Sequence, residues 1–196
     1  MLIGGILLGL VLGLLLGGKL GNLADIRLRY LPLLFLAVLI RFGTETALAY
    51  GVDVADLLRV PLLGLAYGLL LWTLWHNRAY PGIALAFIGI ALNGLVILWN
   101  GGRMPVWMPA YEASGLPGPL NSMLHVPLAA ELNAEFFLRL GPFSDVIPIP
   151  VWPVNNVASL GDVFLSAGLG FFLFATLMRP PVSRRSSWGW PRWSGR

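Results

Sequence analysis

Five stretches of the chain, roughly residues 2–18, 31–50, 58–76, 82–100 and 157–178, run almost unbroken through aliphatic, small and aromatic residues. About 20 apolar residues cross the hydrocarbon core of a bilayer, so each stretch is a candidate membrane-spanning helix. No other feature limits the possible folds as much. Of the 196 residues, 57% are hydrophobic and 11% charged, against the roughly 25% charged residues of water-soluble domains. The expected fold class is therefore an all-α integral membrane protein with five transmembrane helices. The first stretch has neither a basic leader nor a small-residue cleavage site and reads as a retained helix. Without cysteine there is no disulfide, thiolate metal site or cysteine nucleophile.

The basic residues orient this bundle. Lys19, Arg27 and Arg29 lie between the first two stretches, Arg78 between the third and fourth, and Arg179, Arg184, Arg185, Arg192 and Arg196 after the fifth. Arg59, Arg103 and Arg139 fall on the other side. The positive-inside rule then predicts the N-terminus outside and the C-terminus inside, with residues 101–156 forming an outer cap on a single membrane domain, residues 1–178. The net charge of +4 reads as topology, and no nucleic-acid recognition fold is visible. Residues 179–196, where arginines alternate with Trp188, Trp190 and Trp193, read as a cytoplasmic tail lying on lipid head groups.

In the cap, residues 126–140 predict an interfacial helix stopped by Gly141 and Pro142. Ala129, Leu132, Phe136, Phe137 and Leu140 would share its apolar face, with Glu131, Glu135 and Arg139 opposite. Pro148, Pro150 and Pro153 hold the next segment extended, giving a proline-rich cap. In the first stretch, Gly5, Gly9, Gly13, Gly17 and Gly21 recur every fourth residue. Such a stripe lets two helix backbones approach closely, and it fits packing inside the bundle better than a homodimer seam.

Polar residues at membrane depth mark the candidate site. A charge at mid-membrane costs about 2.5–3.5 kcal/mol even on insertion scales. Arg41 and Glu45, four apart, either neutralise each other structurally or belong to a polar pathway. At 1.5 Å per residue, Glu45 and Asp162 lie ~7 Å beneath the outer surface, with Asn93 slightly deeper. Asn100, Arg103, His125 and Asp145 fall in the cap above them. The expected site is an outward-facing polar pocket for a lipid head group or a peptide, with Arg103 and Arg41 meeting negative charge. Ser159-Leu-Gly-Asp162 is also a helix capping pattern, and Asp145 suits a turn. His76 and His125 lie on opposite faces and cannot share a metal, so no metal or other cofactor is expected. GxSxG, P-loop and HExxH motifs are absent from the sequence.

Asn100-Gly-Gly-Arg-Met-Pro105, His125, Asp145-Val-Ile-Pro148 and Ser159-Leu-Gly-Asp162 with Gly168 together resemble a family of small bacterial multi-pass membrane proteins, catalogued as a domain of unknown function. The resemblance spans nearly the whole chain. It implies a bacterial inner-membrane protein and brings no activity with it. The same region is also similar in part to lipoprotein signal peptidase, a membrane aspartyl protease. That resemblance implies Asp145 and Asp162 as catalytic carboxylates sharing a proton, one activating water and the other protonating the leaving group.

Overall fold

The computed structural model describes residues 2–151 and 155–179. The Trp-rich segment expected to lie on lipid, residues 180–196, and Pro153 fall outside the described residues. Five long helices carry the fold: α1 (Leu2–Leu15), α2 (Leu31–Ala49), α4 (Arg59–His76), α5 (Ile83–Trp99) and α8 (Leu160–Leu177). Three short ones, α3 (Asp53–Leu57), α6 (Met108–Ser114) and α7 (Ala134–Leu138), lie in the connections. The long helices pack in the order α2, α4, α5, α8, α1.

Glycine sets the two closest of these contacts. A Cβ at Gly9 would collide with the backbone of Gly170, and one at Gly5 with Ser166, so α1 lies directly on α8. The other face of α8 meets α5, with Gly161 against Gly89 and Gly168 against Ala86. In lipid such small-residue seams replace the hydrophobic drive between helices. Gly13 continues the α1 seam against Leu177, whereas Gly17 and Gly21 lie beyond the helix. Tyr67, Leu63 and Leu70 of α4 pack with Val96 and Ile90 of α5 and Phe172 of α8 in the main apolar core.

Residues 101–156 do not form a helical cap. They hold most of a four-stranded sheet made of β1 (Met104–Trp107), β2 (His125–Leu128), β3 (Asp145–Ile149) and β4 (Asn156–Ser159), in the order β2-β1-β3-β4. β1 runs parallel to both neighbours, and β3 pairs antiparallel with β4. The sheet hangs on the helix pair: β1 follows α5 after four residues, and β4 runs straight into α8 at Ser159. Gly101 (φ 66°) and Gly102 (φ 83°) make the first turn, in a left-handed conformation that L side chains resist. The Gly102 amide donates to the carbonyl of Ile97 at 2.8 Å and closes the end of α5.

The expectation of an all-α protein with five transmembrane helices, an outer interfacial helix and a proline-rich cap is therefore corrected. Four or five residues per strand, with Pro105, Pro127 and Pro148 inside strands, leave no alternating run long enough to read as sheet. Among the described residues, only Leu31–Ala49 and Leu160–Leu177 are both long and apolar enough to cross a membrane. The apolar stretches Ile3–Leu15 and Ile83–Trp99 are shorter. The sequence windows had absorbed flanking turns and β4 into apparent spans, and an orientation counted over five crossings falls with the count. The interfacial helix expected over residues 126–140 is instead β2 and the five-residue α7, because Asn133 accepts the Phe136 amide at 3.0 Å and starts a new helix there.

The surface of α2 matches its composition. α2 buries only Ala37, Thr44 and Leu48, while Phe35, Leu39 and Phe42 are exposed. Apolar surface on this scale marks a membrane or partner surface.

Candidate functional site

The site lies where α2, α4 and α5 meet the sheet. Arg41 and Glu45, one turn apart on α2, pair at 3.1 Å with both side chains about 70% shielded, at 28% and 30% exposure. They form one wall of a polar cavity of about 220 Å³. Leu63 of α4, Ile97 of α5, Met104 of β1 and His125 of β2 complete it. Three of the expected ligand-binding residues, Arg41, Glu45 and His125, are thus brought together from elements far apart in the chain.

The polar groups here are incompletely satisfied. The Nε of Arg41 is buried without a hydrogen-bond partner, as is the hydroxyl of Tyr67, whose ring centre lies 5.6 Å from the guanidinium. His125 points Nδ1 at the Asn121 carbonyl, 3.3 Å away, so Nδ1 carries the proton and Nε2 is left as an acceptor. Burial lowers the pKa of this imidazole, an effect the Asn121 carbonyl partly opposes.

Asn93, Ser159 and Asp162 form a second, closed cluster. Asn93 donates to Asp162 Oδ1 at 2.8 Å and accepts from the Ser159 hydroxyl at 2.7 Å. The Ser159 amide donates to Asp162 Oδ2 at 3.1 Å, and the Asp162 amide donates to Ser159 Oγ at 3.0 Å, completing a capping box on α8. Both carboxylate oxygens of Asp162 are therefore engaged. Gly161 lets Asn93 approach, since a Cβ there would strike the Asn93 side chain.

Asp145 stands beside this cluster, paired in register with Ser159 and Val106. Burial pushes its carboxyl well above the ordinary value of 3.8, and the neighbouring charge of Asp162 adds to the rise. Among the described residues no hydrogen bond joins Asp145 to Asp162, as a proton-sharing dyad would require. Asn100 and Arg103 do not line the cavity. Asn100 donates to the carbonyls of Val96 and Arg139, and Arg103 leaves its Nε buried and unpartnered. No group of three or more potential metal ligands occurs among the described residues.

Two contributors escaped the sequence reading. Arg59 is 3% exposed, pairs with Asp56 and donates to the Met123 carbonyl at 2.7 Å, tying α4 to the loop before β2. Its aliphatic stem occupies the space left by the missing Cβ of Gly102. The Asp-x-x-Arg spacing at residues 56–59 signals the pair, but only the fold buries it. Tyr67 carries no sequence signal, because its polarity matters only beside Arg41.

Fold and site define a helix-bundle protein with a sheet-lidded polar cavity. The chain belongs to a family of unknown function, DUF5317, whose profile matches residues 25–174. It is 34% identical over 110 residues to an uncharacterized protein of Thermotoga maritima; the aligned region is 56% of this chain and 58% of that protein, a little over half its length. No solved structure matches the chain. Neither the family match nor this relative supports the likeness to lipoprotein signal peptidase.

Proposed function

We propose that the protein is a multi-pass protein of the bacterial cytoplasmic membrane that binds one amphiphile, its polar head in the cavity beneath the sheet. The observation that carries this reading is the position of Arg41. It lines the polar cavity and also a separate apolar chamber of about 280 Å³, walled by Val38, Phe42, Leu74, Ile90, Leu165 and Phe172. The chamber opens where α2 lacks extensive packing against α5 and α8. A phosphate or carboxylate would meet the Arg41 guanidinium, Glu45 and His125 would face a hydroxyl or amine, and the chain would fill the chamber. The apolar chamber favours a lipid over a peptide.

Native mass spectrometry of protein purified in mild detergent tests this. A bound lipid is expected, with its occupancy cut about tenfold by Arg41→Gln/Glu45→Gln, equivalent to ~1.4 kcal/mol. That double variant leaves no unpaired buried charge. Val38→Trp, which fills the chamber and spares the polar groups, is expected to displace the lipid as well. A protein carrying no amphiphile, a peptide in its place, or a lipid retained by both variants would reject the reading.

A further inference from the structure

A second pocket lies at the other end of α4, ~20 Å from Leu63 at 1.5 Å per residue. It encloses about 710 Å³ and is lined by Arg27, Arg29, Arg78 and Arg179 with His76, Asn77 and Tyr80, and, among the described residues, by no carboxylate. The ion pairs of the described residues involve Arg41, Arg59 and Arg139, so none of these four arginines is neutralised by one.

Membrane proteins commonly gather arginine at one face, and that alone requires no fixed geometry. Here the backbone that carries the arginines is fixed. Asn77, 3% exposed, accepts from the Arg29 amide at 2.8 Å and donates to the Arg29 carbonyl at 2.9 Å. The Tyr80 hydroxyl accepts from the Arg27 amide at 3.3 Å and donates to the Arg27 carbonyl at 2.8 Å. Asn22 donates to the Arg179 carbonyl at 2.9 Å and to the Leu177 carbonyl at 2.8 Å. Three arginine backbones are thus each clamped by a side chain 48 to 157 residues distant. The side chains are steadied as well: Arg78 stacks 4.4 Å from the Trp75 ring and donates to its carbonyl, and Arg179 lies 5.2 Å from the Tyr80 ring. The guanidinium groups of Arg27, Arg29 and Arg179 donate to no protein acceptor among the described residues.

We infer that this clamped four-arginine pocket binds a ligand carrying two or more phosphate groups. Guanidinium forks meet phosphate oxygens in pairs, and several forks carried on clamped backbones around one pocket suit adjacent phosphates better than a lone carboxylate. The chemistry is shared by a free polyphosphate and by a lipid head with two phosphates. This pocket shares no residue with the amphiphile site and does not depend on it.

Two titrations of the full chain test the inference. In one, tripolyphosphate is added to protein in neutral detergent and binding is followed calorimetrically. In the other, protein in phosphatidylcholine nanodiscs, with or without cardiolipin, is examined for retained lipid. Binding in the first identifies a free anion, binding in the second a lipid head, and binding in both the shared chemistry. Arg27→Gln/Arg179→Gln is expected to weaken binding at least tenfold. Tyr80→Phe keeps every charge and the aromatic face but unclamps Arg27, and is expected to weaken it several-fold. Lys19→Gln, a basic residue of the same end outside the pocket, is expected to change it little. Thermal unfolding of each variant verifies the fold. No binding in either titration, an equal loss in Lys19→Gln, or full binding by Tyr80→Phe would overturn the pocket in favour of unspecific charge.

Discussion

Asp145 and His125 show how far one residue's behaviour depends on its surroundings. The folded protein holds the Asp145 proton more tightly than the unfolded chain does, so ionising it costs stability. That cost is absent at low pH and grows as pH rises from the ordinary carboxylate range. Asp145→Asn is therefore expected to raise the unfolding temperature at pH 7 and to lose the advantage near pH 3. His125 works in the opposite direction. Its lowered pKa means that the folded state resists protonation, so its contribution is lost as pH falls below the ordinary value of 6.5. His125→Gln is expected to flatten stability between pH 7 and 5; an unchanged profile would show that the imidazole is not desolvated. Both residues are legible in the sequence as site candidates, but the burial that sets their charge is not.

At the scale of elements, the start of α8 and the α1–α8 seam were legible because their rules are local. Ser159-Leu-Gly-Asp162 is a pattern within one turn, and the capping box forms. What the pattern left out is Asn93, which fills the remaining valences of the box from α5. Ser159→Ala is expected to cost about 1–3 kcal/mol in denaturant unfolding, because a cap is lost and a buried acceptor is left bare. Gly9→Val would drive a side chain into the Gly170 backbone and is expected to cost at least ~1–3 kcal/mol. An unfolding midpoint like that of the parent would mean that α1 does not bear on α8. The cap was misread for the converse reason. Its helical periodicity over residues 126–140 was genuine, but pairing of His125 to Leu128 with Met104 to Trp107 turned the first part into a strand. A pairing partner some 20 residues away leaves no mark on local periodicity.

For the whole molecule, the long apolar exposed face of α2 and the length of α8 supply the physical case for association with a membrane. Sequence by itself determined the apolar helices, the glycine stripe, the helix cap, and the grouping of arginine at particular turns. Each follows from forces acting within a few residues: side-chain transfer energy, backbone sterics and short hydrogen bonds. The tertiary structure alone decided that Arg41 meets His125 across a cavity, that Asp162 is spent on Asn93 and Ser159, and that residues 101–156 build a sheet. It also turned a set of arginines into a clamped pocket through Asn22, Asn77 and Tyr80. These depend on contacts between segments distant in sequence, whose energy exists only once the chain has closed around them.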